Sequence, residues 1–521
     1  MRMVKYAALL FLSLAASSVL ADVSVVSTYP ANGSNGVDPG TDYVRIRFSG
    51  PVDPESYSFT DSNQGAHVDT TGKPTFDEGN KLCLMPVILE PGTVYAIRVN
   101  GEAGKGFRSA ADGTPVKPYL LKFTTSGTAG EVKSRVTKWQ EDLDFLASEL
   151  PKRHKNLFFH LTEHDWNAKL QKIREDIPAL SDADIMVRLK SLIDSVGDPH
   201  SGIDVFESSK LSRLPVGFYS FADGVFVVGA SDEYKSLLGC RLVKVGNQDV
   251  KKAWSAISDL YCFGNESDQQ SRVPRYFSEP DLLKGASLIK SPDSVPLALE
   301  DKDGNTIKRT VKSVPHKTQL KKTMVTDSQL IVPMYRLHRD LPFWVCYLAT
   351  GNLVYFQYNE CVDPPHNPFN GLCSDLADLI NAHQSARLVI DLRLNGGGDS
   401  GVLDPLIDHI KSTDFGNQKG KLFVITGRET YGSAVFNAAR LRYETNAIFV
   451  GEEPGMSCNT YGEQKTFELP NSDLRITYSI RYFRFSKDAS GLIKPDIVVK
   501  TKFSEYASGI DPVLNAIINL N

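Results

Sequence analysis

Two loops and one histidine carry the residue types from which acyl-transfer chemistry can be built. Residues 386–391 form a short apolar run that leads into Asn395-Gly396-Gly397-Gly398. Three successive glycines are poor helix and strand formers. They let backbone N–H groups approach a ligand closely, as an oxyanion hole requires. Residues 421–425 form a second apolar run. It is followed by Tyr431-Gly432-Ser433-Ala434 and a pattern placing Ala434, Ala438, Ala439 and Leu441 on one helical face. A serine at a strand-to-helix turn sits where the positive end of the helix favours a developing negative charge, with its hydroxyl lifted clear of the sheet. Each piece has a plainer use: a glycine run serves as a loose loop, and a serine before a helix as an N-cap. The pair is more specific, because apolar runs of this kind read as strands of a buried parallel sheet. Neighbouring strands would deliver both loops to the carboxyl edge, where open α/β sheets hold their sites. A third segment, Gly197-Asp198-Pro199-His200-Ser201, ends a helical pattern. Helices stop before proline, so His200 lies on a loop directly after a rigid element. That placement suits a general base and equally suits an ordinary surface histidine.

The elements that must position these residues can be read along the chain. Residues 22–126 read as all-β. Val44, Ile46 and Phe48 alternate with Tyr43, Arg45 and Arg47, and Gly/Pro punctuation at 30–33, 50–51 and 91–92 fits the short strands of a β-sandwich. A flexible linker follows at 126–130. Residues 131–203 read as a helical cap. Val132, Val136, Trp139, Leu143, Leu146 and Leu150 mark one amphipathic helix, and Ile185, Leu189, Leu192, Ile193 and Val196 mark another that starts at Ser181. Residues 204–315 are β-rich, with a hairpin around Asp303-Gly304-Asn305, and 316–521 form an α/β core that closes on a helix near the end.

Composition narrows the class. The 521 residues suffice for several domains, and 41% hydrophobic with 23% charged residues is ordinary for a soluble protein. A net charge of −4 without a long run of like charge gives no sign of nucleic-acid binding. Residues 1–21 read as a secretory leader: Arg2 and Lys5, an apolar stretch over 6–14, then Val19-Leu20-Ala21 as the cleavage site. The mature protein is therefore expected to be exported, periplasmic or secreted, with no integral membrane segment. The seven cysteines show no metal or redox spacing, and no metal or cofactor is expected. In an oxidising compartment Cys240 with Cys262 and Cys361 with Cys373 are plausible disulfides by proximity in sequence.

Read together, VGDPHSGI, LLGCRLVKVGNQDV, VIDLRLNGGGDS, TGRETYGSAVFNAARL, AIFVGEEPGMSCNTYGE, KPDIVV and GIDPVLNAI resemble, in that order, the tail-specific or C-terminal-processing serine proteases. More narrowly, they resemble the branch related to tricorn-core and interphotoreceptor-retinoid-binding domains. The N-terminal region resembles a bacterial Ig-like domain. The resemblance implies a multidomain architecture: Ig-like sandwich, helical cap, PDZ-like module over 204–315, and a crotonase-like α/β core built of ββα repeats. It implies Ser433 as nucleophile, the amides of Ala434 and of Gly396 or Gly397 as oxyanion hole, and His200 as base. Many relatives carry a Ser-Lys dyad with the lysine in the loop after the next strand. Residues 453–460 hold no lysine, and Ser457 or Cys458 stands in its place; Lys465 is nearby but inside a strand pattern. His200 would then need an orienting acid. Glu463 is the first choice and Asp488 the second, while Asp198 reads as a turn residue. The expected activity is hydrolysis of polypeptide through an acyl-enzyme. The competing expectations are an inactive relative that binds a peptide or apolar ligand, and a surface adhesin built on the sandwich.

Overall fold

The computed structural model describes residues 22–62, 64–70, 72–100, 106–127, 135–206, 208, 210–366, 368–383 and 386–520. The leader expected over 1–21 and most of the linker lie outside them. The chain divides after Ser134 into two compact units. In the first, β1 (Val25–Tyr29), β2 (Tyr43–Phe48) and β4 (Leu82–Ile88) pair antiparallel in one sheet, and β3 (Phe59–Asp61), β5 (Val94–Val99) and β6 (Tyr119–Thr124) pair antiparallel in another. The period-2 pattern of β2 is realised: Val44, Ile46 and Phe48 are buried and join Tyr95, Phe107 and Phe123 in one core.

The second unit holds three layers of different origin. Helices α1 (Arg135–Arg153), α2 (Glu163–Asp176) and α3 (Asp182–Asp194) pack through Trp139, Leu143, Leu146, Leu150, Leu189 and Ile193. Ser181 caps α3 by accepting from the Asp184 amide. Next comes an antiparallel sheet in the order β7 (Val216–Phe221), β8 (Gly224–Ala230), β9 (Arg241–Val245), β10 (Ser294–Glu300), β11 (Thr306–Lys312). Helices α4 (Val250–Ser258) and α5 (Glu266–Tyr276) lie between β9 and β10 in the chain.

The α/β core is a six-stranded sheet in the order β12 (Phe343–Leu348), β13 (Leu353–Tyr358), β14 (Arg387–Asp391), β15 (Leu422–Thr426), β16 (Ile448–Gly451), β19 (Ile497–Val498). The β12–β13 pair is antiparallel and all later pairs are parallel. Leu388, Val389 and Ile390 of β14 and Leu422 to Ile425 of β15 are all buried, as strands covered on both faces must be. Helix α6 (Phe369–Ala382) precedes β14, α7 (Ser433–Glu444) joins β15 to β16, and α8 (Pro512–Ile518) packs against the sheet through Val513, Leu514 and Ile517.

One pair of strands within 316–521 lies outside the core sheet. Strands β17 (Thr460–Glu468) and β18 (Arg475–Phe483) do not extend the core sheet. They form a hairpin whose Phe467, Leu474, Ile476 and Tyr478 belong to the helical core, and β18 pairs with Gly202 and Ile203. The expected disulfides are corrected: all seven cysteines are free. Cys361 turns inward to Asn395 and Asn437, and Cys262 toward the Phe263 carbonyl, so neither is presented to its proposed partner.

Candidate active site

The two loops named by the sequence leave adjacent parallel strands at one edge, the Gly-rich loop from β14 and the serine turn from β15. They are laced together. Tyr431 donates its amide to the Asn395 carbonyl at 2.9 Å, and Thr430 Oγ1 donates to the Leu392 carbonyl at 2.8 Å. Gly432 then takes φ 53°, ψ −132°, a backbone position open to glycine, which throws Ser433 up onto the first turn of α7. Gly397 is the point of closest approach. A methyl on its Cα would lie 3.0 Å from the Ser433 nitrogen and 3.2 Å from the Tyr431 carbonyl.

A cleft of about 440 Å³ gathers Ser433, His200, Glu463, Gly396 and Gly398, with Tyr431 and Gln464 beside them. His200 is carried by the loop between α3 and the Gly202–Ile203 strand, so its pairing with β18 fixes the approach to the serine. Its ring centroid lies 5.3 Å from that of Tyr431, whose hydroxyl donates to the Pro199 carbonyl at 3.2 Å. His200 Nδ1 is buried without a hydrogen-bond partner. Burial pushes the imidazole below the ordinary histidine value, opposed in part by the Asp198 carboxylate and the Tyr461 carbonyl. Ser433 Oγ donates to the Gly398 carbonyl at 2.5 Å and forms no bond to His200. The two residues share the cleft without being coupled across it.

Of the amides expected to hold an oxyanion, that of Gly396 makes no protein hydrogen bond among the described residues. The Gly397 N–H is held by Asn395 Oδ1 at 2.9 Å, and the Ala434 N–H by the Tyr431 carbonyl at 3.2 Å. The tight turn at Gly432 brings Tyr431 and Ala434 within three residues of each other and makes that second bond.

Glu463 lines the cleft but is exposed, at φ 55°, with a carboxylate oxygen 3.6 Å from Arg481. No hydrogen bond joins it to His200. Asp488 is spent on Ser490, whose hydroxyl and amide hold the carboxyl below the usual range. Lys465 lies exposed on β17, and Ser457 bonds the Asn459 and Ser490 carbonyls. Cys361 and Cys458 are each pushed up to about 11 by burial, so neither supplies a thiolate at neutral pH.

Four residues around the cleft were missed by the sequence reading. Asn395, wholly buried, accepts from the Gly397 amide and the Cys361 thiol and donates to the Tyr358 carbonyl at 3.1 Å. Its place before the glycines was the available signal. Asp268 and Arg272 form a bidentate pair on α5 close enough to act on the His200 titration. His154, at the end of α1, bonds Asp198 at 3.0 Å, and no local pattern announces it. Among the described residues no group of three or more His, Cys, Asp or Glu side chains is gathered to hold a metal ion. Nor is any helix long and apolar enough to cross a membrane.

Residues 21–125 match the family model of the bacterial Ig-like domain, as the resemblance of the N-terminal region implied. Solved structures similar to the chain include mature CPAF complexed with lactacystin, at 13% identity over 74% of this chain and 99% of that one, TM-score 0.49. The photosystem II D1 C-terminal processing protease is similar at 12% identity over 71% and 94%, TM-score 0.31. The surface-layer protein rSbsC is similar at 17% identity over 20% and 14%, TM-score 0.15. No curated protein matches the chain.

Proposed function

We propose that the chain is an exported serine peptidase that cleaves polypeptide through an acyl-enzyme formed on Ser433. The observation that carries this reading is the cleft itself. It holds a serine raised on a glycine-only turn, a Gly-rich loop with an open amide, and a half-buried histidine whose inward Nδ1 has no partner. The motif order of the sequence supports the same reading. In the reaction, Ser433 Oγ leaves the Gly398 carbonyl and passes its proton to His200 as it attacks the substrate carbonyl. The oxyanion is met by the Gly396 amide and by that of Ala434, which exchanges its 3.2 Å bond to the Tyr431 carbonyl for one to the substrate oxygen. Each such donor contributes about 3 kcal/mol to the transition state. His200 returns the proton to the leaving amine, and water then releases the acyl group by the reverse path. Glu463 is a carboxylate at the rim of the cleft and requires release from Arg481 to reach the imidazole. The fold of 204–315 is read as PDZ-like and the core as crotonase-like.

A second reading, an inactive relative that binds a peptide or apolar ligand, is favoured by one observation: Ser433 donates to Gly398 instead of His200. A fluorophosphonate probe separates the two. The expected result is labelling of the mature protein that is lost in Ser433→Ala and in His200→Ala. Absence of labelling across the pH range refutes the peptidase reading.

A further inference from the structure

We propose that Asp198 is a positioning residue that stabilises the His200 imidazolium by its charge, acting across its own turn without a bond to the ring, and that His154 holds it there. The inference rests on the Ser433–His200 reading and supplies the acid that the sequence sought in Glu463. Asp198 and the His154 side chain are both fully buried. His154 Nδ1 accepts from the Asn156 amide at 3.0 Å, so its ring proton sits on Nε2 and is donated to Asp198 Oδ2 at 3.0 Å. Ser201 Oγ donates to the same oxygen at 2.6 Å, and the His200 amide donates to Oδ1 at 3.0 Å.

A turn aspartate needs only the last two of these bonds. Burial behind a histidine donor, with no lysine or arginine among the described residues bonded to it, is a different construction: a carboxylate whose charge is hydrogen-bonded but not neutralised. Burial alone would raise this carboxyl, yet His154, Ser201, Ser479 and the His200 amide together hold it below the usual value, so it is ionised wherever the enzyme would work.

The other groups facing His200 leave that charge dominant. Asp268 and Arg272 on α5 are joined in a bidentate pair and largely cancel. Tyr431 is kept protonated by burial, and Tyr461 offers a backbone carbonyl. Asp399 and Glu463 line the cleft from its exposed side, Glu463 against Arg481. A fixed buried anion beside a histidine is what an imidazolium forming in the transition state requires.

The test is the pH dependence of the fluorophosphonate labelling rate. In Asp198→Asn the acid limb is expected to move down by about one pH unit and the plateau rate to fall about tenfold, the size of effect one charge has through a partly wet interior. A purely structural role would reduce the amount of labelled protein and leave the limb in place, so an unmoved limb overturns the inference. Should Asp198→Asn fail to fold by circular dichroism, Asp198→Glu and His154→Gln are read instead. Both keep the carboxylate and are expected to hold the limb; a limb moved down in either overturns the inference. Wild type that does not label, or labelling that survives Ser433→Ala, removes the serine–histidine reading itself and is distinguishable from both.

Discussion

Gly397→Ala is expected to damage stability and labelling together, because that glycine is the contact between the Gly-rich loop and the serine turn. Two costs follow from its geometry. Its φ is 112°, where a side chain costs about 1–2 kcal/mol. The new methyl would also stand 3.0 Å from the Ser433 nitrogen, 3.2 Å from Gly432 Cα and 3.2 Å from the Tyr431 carbonyl. These are backbone atoms that move only with β15 and α7, and overpacking of this kind costs about 1–3 kcal/mol. A total of about 3 kcal/mol is a working figure. The unit from Arg135 to Asn521 has roughly 390 residues, so its unfolding entropy is about 0.8 kcal/mol/K and the midpoint should drop by about 4 °C. Relief by shifting the turn displaces Ser433 by a few tenths of an ångström from the oxyanion donors, and misplacement on that scale is worth about tenfold or more in labelling rate. Gly396→Ala is the internal control. Its added methyl meets nothing within 4 Å and its φ is not left-handed, so the midpoint should hold or rise slightly. Differential scanning calorimetry gives the midpoints and the fluorophosphonate probe the rates. Equal midpoints for the two variants would refute the claim that the loops are packed against each other at Gly397.

Arg393, buried between Asp391 and Asp511, anchors the start of the Gly-rich loop to the base of α8. Arg393→Ala strands two carboxylates in the core and is expected to cost about 3–5 kcal/mol, read as the midpoint of the same calorimetric transition. The labelling rate of wild type should rise with pH through an inflection below 6.5, since burial lowers the His200 value and only neutral imidazole accepts the serine proton. The same shift has a stability sign. The unfolded chain binds the proton more readily than the folded one, so the contribution of His200 is present above its unfolded value and is lost as the pH falls toward the folded one. An inflection above 6.5 would contradict both. Thiol titration in denaturant without reductant should count seven free cysteines, and an intact-mass shift on reduction would contradict the bonding described for Cys361.

The parts of this fold that were legible in the sequence are those in which neighbours in the chain are also neighbours in space. The period of Val44-Ile46-Phe48, the faces of α1 and α3, and the two apolar runs ending in Gly396–398 and Ser433 each declare themselves within a dozen residues, because burial acts on one element at a time. Adjacency of β14 and β15 then brought the serine and the glycines to one edge. What was not legible depends on partners far apart in the chain. The hairpin β17–β18 reads as strand in either sheet; only its Phe467, Ile476 and Tyr478 filling the helical core decide where it goes. That choice carries the approach of His200, through the Thr477–Gly202 pair, and turns Glu463 out toward Arg481. The acid was sought near the nucleophile in sequence, where charge is easily seen. The structure instead places a buried carboxylate two residues from the base and secures it with a histidine from the end of α1. Whether an aspartate in such a turn is inert or electrostatically active is set by what covers it. A surface turn leaves the charge to water, whereas a turn sealed by His154, Ser201 and the helical core leaves it to His200.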